Sequence, residues 1–248
     1  MNQLKAVFWD VDGTIADTEL HGHREAFNQA FLEAGIPWHW DIKTYIELLE
    51  ISGGFNRIKY FSGKKEYIIS DNNIKILHQK KQIHYSKILE SGKIPLRNGV
   101  SRLISELKAN AISQFIVTTS SKLAIDSLFK STLYNHRHDF VGIISYEDVT
   151  LTKPNPEGYL KAINKLSIPV QNCIAIEDSL IGLQAAISSG LCCVVNNLPW
   201  NDLNIDRYKI AQSVIDNLGD QDTKPSVLLG PPLTNNLVDL NYLIQLIN

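Results

Sequence analysis

Short apolar runs separated by longer amphipathic stretches set the pattern of this chain. Ala6 to Trp9, Phe115 to Val117, Val141 to Ile144, Ile174 to Ile176 and Leu191 to Val195 are runs of the kind that lie in strands buried on both faces of a parallel sheet. Between them apolar residues recur at spacings of three and four, at Val100, Leu103, Ile104 and Leu107, at Leu123 to Phe129, and at Tyr159, Leu160, Ile163 and Leu166. Alternation of strand and helix predicts an α/β fold, a doubly wound, Rossmann-like parallel sheet with right-handed crossovers. Ligand chemistry is then expected beyond the carboxyl ends of the strands.

The interval between the first two strands breaks this rhythm. Helical patterns at Ala26 to Ala34, Tyr45 to Leu49 and Ile74 to Leu89 fill it, with no buried strand among them. That is far more than the roughly 12 residues a crossover needs. The pattern predicts an inserted helical domain, residues 17–95, lying over the strand ends, with hinges near Ala16 to Thr18 and Ile94 to Gly99. Residues 1–16 and 96–248 are then the core. Beyond Pro199 the signal weakens; Gly230, Pro231 and Pro232 mark a loop, and Leu237, Leu240, Leu243 and Leu246 predict a last helix docked on the core.

Composition narrows the function classes. With 248 residues, 44% hydrophobic and 20% charged, the chain fits an ordinary globular protein and not a disordered or coiled-coil one. A formal net charge of -2 gives no positive field for nucleic acid or an acidic membrane, so neither is expected as a partner. No stretch approaches the roughly 20 apolar residues of a membrane span. No leader is expected ahead of Ala6, and the expected location is the cytosol, or the plastid stroma in a photosynthetic source. A monomer is expected. Cys173, Cys192 and Cys193 lie in apolar stretches without metal-ligand spacing and read as buried thiols of a reducing compartment. His136 and His138 read as surface residues of a polar turn, and Trp38 with Trp40 as helical-domain core.

The strand ends carry the chemistry. Asp10 and Asp12 follow the first strand, their alternation sends them the same way, and Gly13 permits a turn that gathers backbone N–H groups around an anion. Two close carboxylates repel unless a cation is shared, and hard Mg²⁺ suits oxygen ligands. The second strand ends in Thr118, Thr119 and Ser120; Lys153 follows the third between Thr152 and Pro154; Glu177, Asp178 and Ser179 follow the fourth, ahead of the small residues Gly182, Ala185 and Ala186. Each has a plain reading alone: a solvated turn, an N-cap, a surface lysine, a helix cap. In order at four strand ends they supply what one phosphoryl-transfer site needs.

At this point the sequence resembles the haloacid dehalogenase superfamily, whose four motifs match Asp10 to Thr14, Thr119, Lys153, and Glu177 with Asp178. Asp12 is similar to the second acid of that superfamily's phosphotransferases, which its dehalogenases lack. His21 to Arg24, Ala26 to Asn28, Trp38 to Asp41, Tyr45, Leu48, Leu49, Gly53 to Ile58 and the tail Leu218 to Asp220 resemble the CbbY family, whose members remove the Rubisco inhibitor xylulose 1,5-bisphosphate. Asn98 stands where that family usually has proline. The resemblance implies an aspartyl-phosphate mechanism on a small sugar phosphate. Asp10 would be the nucleophile, Asp12 the acid and base, and Thr119, Ser120 and Lys153 the grip on the phosphoryl group, with Gly13 and Thr14 from the first loop. It also implies Mg²⁺ held by Asp10, the Asp12 carbonyl and Asp178, with Glu177 orienting the metal's waters. Arg57 would clamp the distal phosphate, and His23, Arg24 and Lys81 are candidates for the same pocket. A sugar phosphomutase of this fold and a phosphoacceptor signalling module stay open as alternatives.

Overall fold

The computed structural model describes residues 2–51, 53–64, 68–200 and 204–248. Strand β1 (Ala6–Trp9) is wholly buried, and its period of two divides its side chains: Ala6 and Phe8 enter the apolar cluster on one face of the sheet, Val7 and Trp9 the cluster on the other. Around it stand β2 (Ser113–Val117), β3 (Gly142–Ile144), β4 (Cys173–Glu177), β5 (Cys192–Asn196), β6 (Ser213–Ile215) and β7 (Val227–Leu229). Among the described residues they form one seven-stranded sheet in the order β3-β2-β1-β4-β5-β6-β7. All neighbours are parallel except β6 with β7. The chain builds outward from β1 to β2 and β3, then returns to the other side for β4, so the crevice beyond β1 and β4 is the switch point of the fold.

Between β1 and β2 the described chain is helical: a π-helical turn at Glu19–His23, then α1 (Arg24–Glu33), α2 (Ile42–Leu49), α3 (Gly54–Gly63) and α4 (Asp71–Glu90). Asp41 caps α2 by accepting from the Thr44 N–H at 2.7 Å, and Ser70 caps α4. Phe27, Phe31, Trp38, Trp40, Tyr45 and Ile58 give these helices their own apolar cluster, where both tryptophans are buried as expected. The two connections to the sheet run side by side: Ala16 bridges Leu96, and the Asp17 N–H donates to Pro95 O at 3.3 Å.

Helices α5 (Val100–Ala109), α6 (Lys122–Lys130), α7 (Glu157–Leu166), α8 (Leu180–Ser188) and α9 (Leu240–Leu246) cover the sheet. The sequence pattern locates β1 to β5 and misses β6 and β7. β6 offers only Val214 and Ile215 as consecutive apolar residues, and β7 is antiparallel and half exposed at the sheet's edge, outside the alternation of strand and helix. The run at Val141 to Ile144 is an edge strand and not one buried on both faces, since Val141 is 61% exposed. Cys192 is half-buried, whereas Cys173 and Cys193 are buried; all three are free thiols.

His136 corrects the surface reading. It is 6% exposed, and its ring joins Ser101 Oγ at 2.7 Å to Asp139 Oδ2 at 2.9 Å, tying α5 to the turn before β3.

Candidate active site

The end of β1 is pinned in the sheet, where the Asp10 N–H donates to Ile176 O at 3.0 Å. This fixes the Asp10 carboxylate at the switch point, where Lys153 reaches it from the loop after β3. Lys153 Nζ lies 2.6 Å from Asp10 Oδ1, 2.6 Å from Glu177 Oε1 and 2.8 Å from Val117 O, so one ammonium spans the ends of β1, β2 and β4. Tyr159 on α7 also donates to Glu177. Burial pushes the Asp10 carboxyl up, the Lys153 charge opposes, Glu177 adds to the rise, and the result is about 7. For Lys153 burial acts downward, but Asp10 and Glu177 outweigh it and hold the ammonium above its ordinary value.

Asp178 completes an acidic group: one carboxylate oxygen from each of Asp10, Glu177 and Asp178 lies within 4.8 Å of the others, and all three residues are buried. Burial raises the Asp178 carboxyl well above its usual range, and Asp10 and Glu177 add to this. Three buried carboxylates with one lysine form a donor set of hard oxygens whose mutual repulsion a divalent cation relieves, so the residues fit Mg²⁺. Two glycines make the group possible. Gly13, at φ +81°, turns so close to Asp178 that a Cβ would stand 2.2 Å from Oδ2, and a Cβ on Gly182 would stand 1.8 Å from Glu177 Oε2. The N-cap of α8 is Ser179, whose Oγ accepts from the Gly182 N–H.

Asp12 points from the same edge into a different network. Its carboxylate accepts from Thr18 Oγ1 at 2.7 Å, from Ser120 at the end of β2 and from Tyr85 on α4, and His23 Nε2 lies 3.1 Å away. Burial alone would raise the Asp12 carboxyl; His23 by charge and hydrogen bond, with Ser120 and Tyr85, holds it well below the carboxylate range instead. Lys81 Nζ stands 2.5 Å from the other ring nitrogen of His23, and the imidazole stacks on Tyr85 at 3.9 Å. Burial brings the Lys81 ammonium down to about 7 against the charges of Asp12 and Glu19. The helical insertion therefore meets the sheet on the second carboxylate.

A model of the haloacid dehalogenase-like hydrolases matches residues 4–190. The chain belongs to that family. It is 34% identical over 223 residues to the plasmid-borne CbbY protein of Cupriavidus necator, covering 88% of this chain and 87% of the relative. A mutant CbbY from Rhodobacter sphaeroides, solved in complex with xylulose 1,5-bisphosphate, matches with a TM-score of 0.79 at 32% identity, over 89% of this chain and 98% of the other. A β-phosphoglucomutase from Clostridium difficile matches with a TM-score of 0.72 at 25% identity, over 99% and 98%. The chain is an enzyme, a phosphatase of the CbbY group of haloacid dehalogenase-like hydrolases.

Within this hydrolase most of the residues expected at the site fall into two sets, and the others stand apart. Asp10, Lys153, Glu177 and Asp178 meet directly, with Gly13 against Asp178. Asp12, Ser120, His23 and Lys81 form the adjoining network. Thr119 is exposed and lines, with Lys153, a small crevice beside the end of β2. Thr14 is fully buried; its Oγ1 has no partner among the described residues, and its carbonyl accepts from Asn196 Nδ2. Arg57 is half-buried, with Nε on Ile51 O at 2.9 Å and its guanidinium over the Tyr45 ring, and Tyr45 donates to Glu19 Oε2 at 2.6 Å. Arg24 is turned into the insertion, donating to Leu20 O and Trp40 O at 3.2 Å and pairing with Glu25.

The sequence pattern does not mark Glu19, His78 or Tyr85 as site residues, and it marks Thr18 only as a hinge position and Tyr45 only within the family resemblance. Tyr45 and Tyr85 sit in helical apolar patterns and read as core, which their burial satisfies while their hydroxyls serve the site. His78 is brought down to about 4, by burial first and by Lys81, His23 and Arg57 next, which places it among the same cations. Its signal was present: His78 and Lys81 are three apart on α4.

Proposed function

We propose that this phosphatase is Mg²⁺-dependent, works through an aspartyl phosphate at Asp10, and hydrolyses xylulose 1,5-bisphosphate to xylulose 5-phosphate. The observation that carries the reading is Asp12, held at once by Ser120 of the sheet and by His23 and Tyr85 of the helical insertion. A proton-transfer group in that position is aligned only when insertion and core come together over a substrate, the arrangement of a lid that excludes water from chemistry. Residues 17–95 are that lid, hinged where Ala16 and Leu96 pair, on a core of residues 1–16 and 96–248.

Asp10 attacks phosphorus in line as the bond to the sugar oxygen breaks; Asp12, ionised in the ligand-free network, binds a solvent proton as the phosphate dianion approaches and gives it to that oxygen. Asp12 then takes a proton from the water that cleaves the acyl phosphate and returns inorganic phosphate. Lys153, Thr119 and Ser120 hold the phosphoryl oxygens, with Gly13 and Thr14 of the first loop; among the described residues the N–H groups of Val11 and Asp12 meet no acceptor, so they are available to the same anion. Asp10, Asp178 and the Asp12 carbonyl, with Glu177 behind them, would hold Mg²⁺, which would supply charge neutralisation between carboxylate and phosphate. Arg57, with Lys81, offers positive charge to the distal phosphate, and His23 borders the same pocket, which suits a bisphosphate.

A phosphomutase reading is favoured by the likeness to β-phosphoglucomutase over nearly the whole chain. Incubation with Mg²⁺ and xylulose 1,5-bisphosphate separates the two. Stoichiometric free phosphate supports hydrolysis, and conversion to an isomeric sugar phosphate with almost no free phosphate overturns it.

A further inference from the structure

Arg97 lies on the return connection from the insertion, 9% exposed, and spends its guanidinium on backbone carbonyls alone. It donates to Gly13 O at 2.6 Å, to Asn197 O at 2.6 Å, to Asp216 O at 3.1 Å and to Asn196 O. These belong to the nucleophile loop, to the last residue of β5 and the one after it, and to the residue after β6. Its own N–H donates to Ile15 O at 2.9 Å. Arg102 on α5 also binds three carbonyls, of Leu218, Gly219 and Val238, but Glu106 neutralises it at 2.8 Å. Among the described residues no carboxylate pairs with Arg97, and Asp178 is the first of the acids whose charge reaches it.

Gly13 is the residue at which the nucleophile loop would slip. At φ +81° a glycine peptide rotates with little steric cost, so a contact outside the loop has to hold it. Gly13 also abuts Asp178, so the orientation of its carbonyl sets the spacing between the carboxylates of β1 and of β4. We infer that Arg97 is a positioning residue for phosphoryl transfer: by gripping Gly13 O from behind, it holds the nucleophile loop against Asp178, so that the carboxylate group is preformed for its cation. The inference rests on the Mg²⁺-dependent reading above.

The test compares Arg97→Lys with Arg102→Lys. Lysine keeps the charge but cannot span carbonyls from three segments. Calorimetric titration of substrate-free protein with Mg²⁺ is expected to show affinity about tenfold weaker in Arg97→Lys, with kcat on p-nitrophenyl phosphate down about 10- to 100-fold and KM within about threefold. Arg102→Lys is expected to lower Tm yet leave Mg²⁺ affinity and kcat within about twofold. If Arg97→Lys loses only Tm, as its control does, the inference is overturned. If it does not fold, amide exchange of residues 13–16 in the wild type, whose N–H groups are hydrogen-bonded within the loop, decides: protection before Mg²⁺ is added supports a preformed loop, and protection gained only with Mg²⁺ overturns it. A wild type that binds no Mg²⁺ sinks the underlying reading, and the inference with it.

Discussion

His23 Nε2 stands 3.1 Å from Asp12 Oδ1, joining the helical insertion to the sheet at the second acid of the site. Through its other nitrogen the ring meets Lys81, so a cation, an imidazole and a carboxylate form one chain. His23→Ala is expected to lower kcat for phosphate release by about 10- to 100-fold. The fold is expected to stay intact, since the ring packs on Tyr85 at the interface and belongs to no apolar cluster. Unchanged kcat in a phosphate-release assay would remove His23 from the reaction.

Asp10→Asn is expected to reduce turnover by about 10³-fold or more, because an amide cannot form the acyl phosphate. Stability in the presence of chelator should hold or rise, since the change takes one of three mutually repelling carboxylates out of a buried group. Thermal unfolding alongside the activity assay checks both halves.

Lys81 gives the reaction a pH dependence. Its ammonium titrates near 7, lowered from 10.5 mainly by burial, so the charge is present below that pH and lost above it. The kcat/KM for a bisphosphate should therefore fall as pH rises through about 7, and Lys81→Met should remove this limb. Stability runs the other way: between about 7 and 10.5 the unfolded chain binds the proton that the folded one has lost, so this group makes the protein more stable as pH rises. Denaturant titrations of wild type and Lys81→Met at several pH values read that difference directly.

Arg57→Ala should weaken turnover of a bisphosphate by about tenfold or more and that of a monophosphate much less, because a monophosphate has no distal group to hold. Equal losses on both, measured as kcat/KM, would confine Arg57 to its packing on Tyr45.

Asp178→Ala should raise the Mg²⁺ concentration needed for half-maximal activity by about tenfold or more. Chelation of the wild type should abolish activity while the circular dichroism spectrum stays unchanged. Metal dependence equal to that of wild type would take Asp178 out of the coordination set.

How far the sequence could be read follows from the range of the forces involved. Strands β1, β2, β4 and β5 show as apolar runs because both faces of a central parallel strand are covered, whereas β6 offers only Val214 and Ile215 in a row and β7, antiparallel and partly exposed, falls outside the alternation of strand and helix. Asp10 and Asp178 are legible because each directly follows a strand, β1 and β4, and a strand end fixes where the next residue emerges. Tyr85 is not, because its apolar ring satisfies the helix pattern while its hydroxyl serves Asp12. His136 shows the same limit in reverse: a polar turn hides the burial that comes with its contact to Ser101, 35 residues away on α5.

The order of apolar and polar residues thus determined that a parallel sheet forms, that helices interrupt it after β1, and which side chains emerge at its carboxyl edge, since all of these depend on neighbours within a few positions. Which carboxylates share a site with which cations was decided only in three dimensions. Lys153 lies 143 residues from Asp10, Tyr85 lies 73 from Asp12 and Arg97 lies 84 from Gly13, and no local pattern carries a contact that the packing of sheet, insertion and loops alone creates.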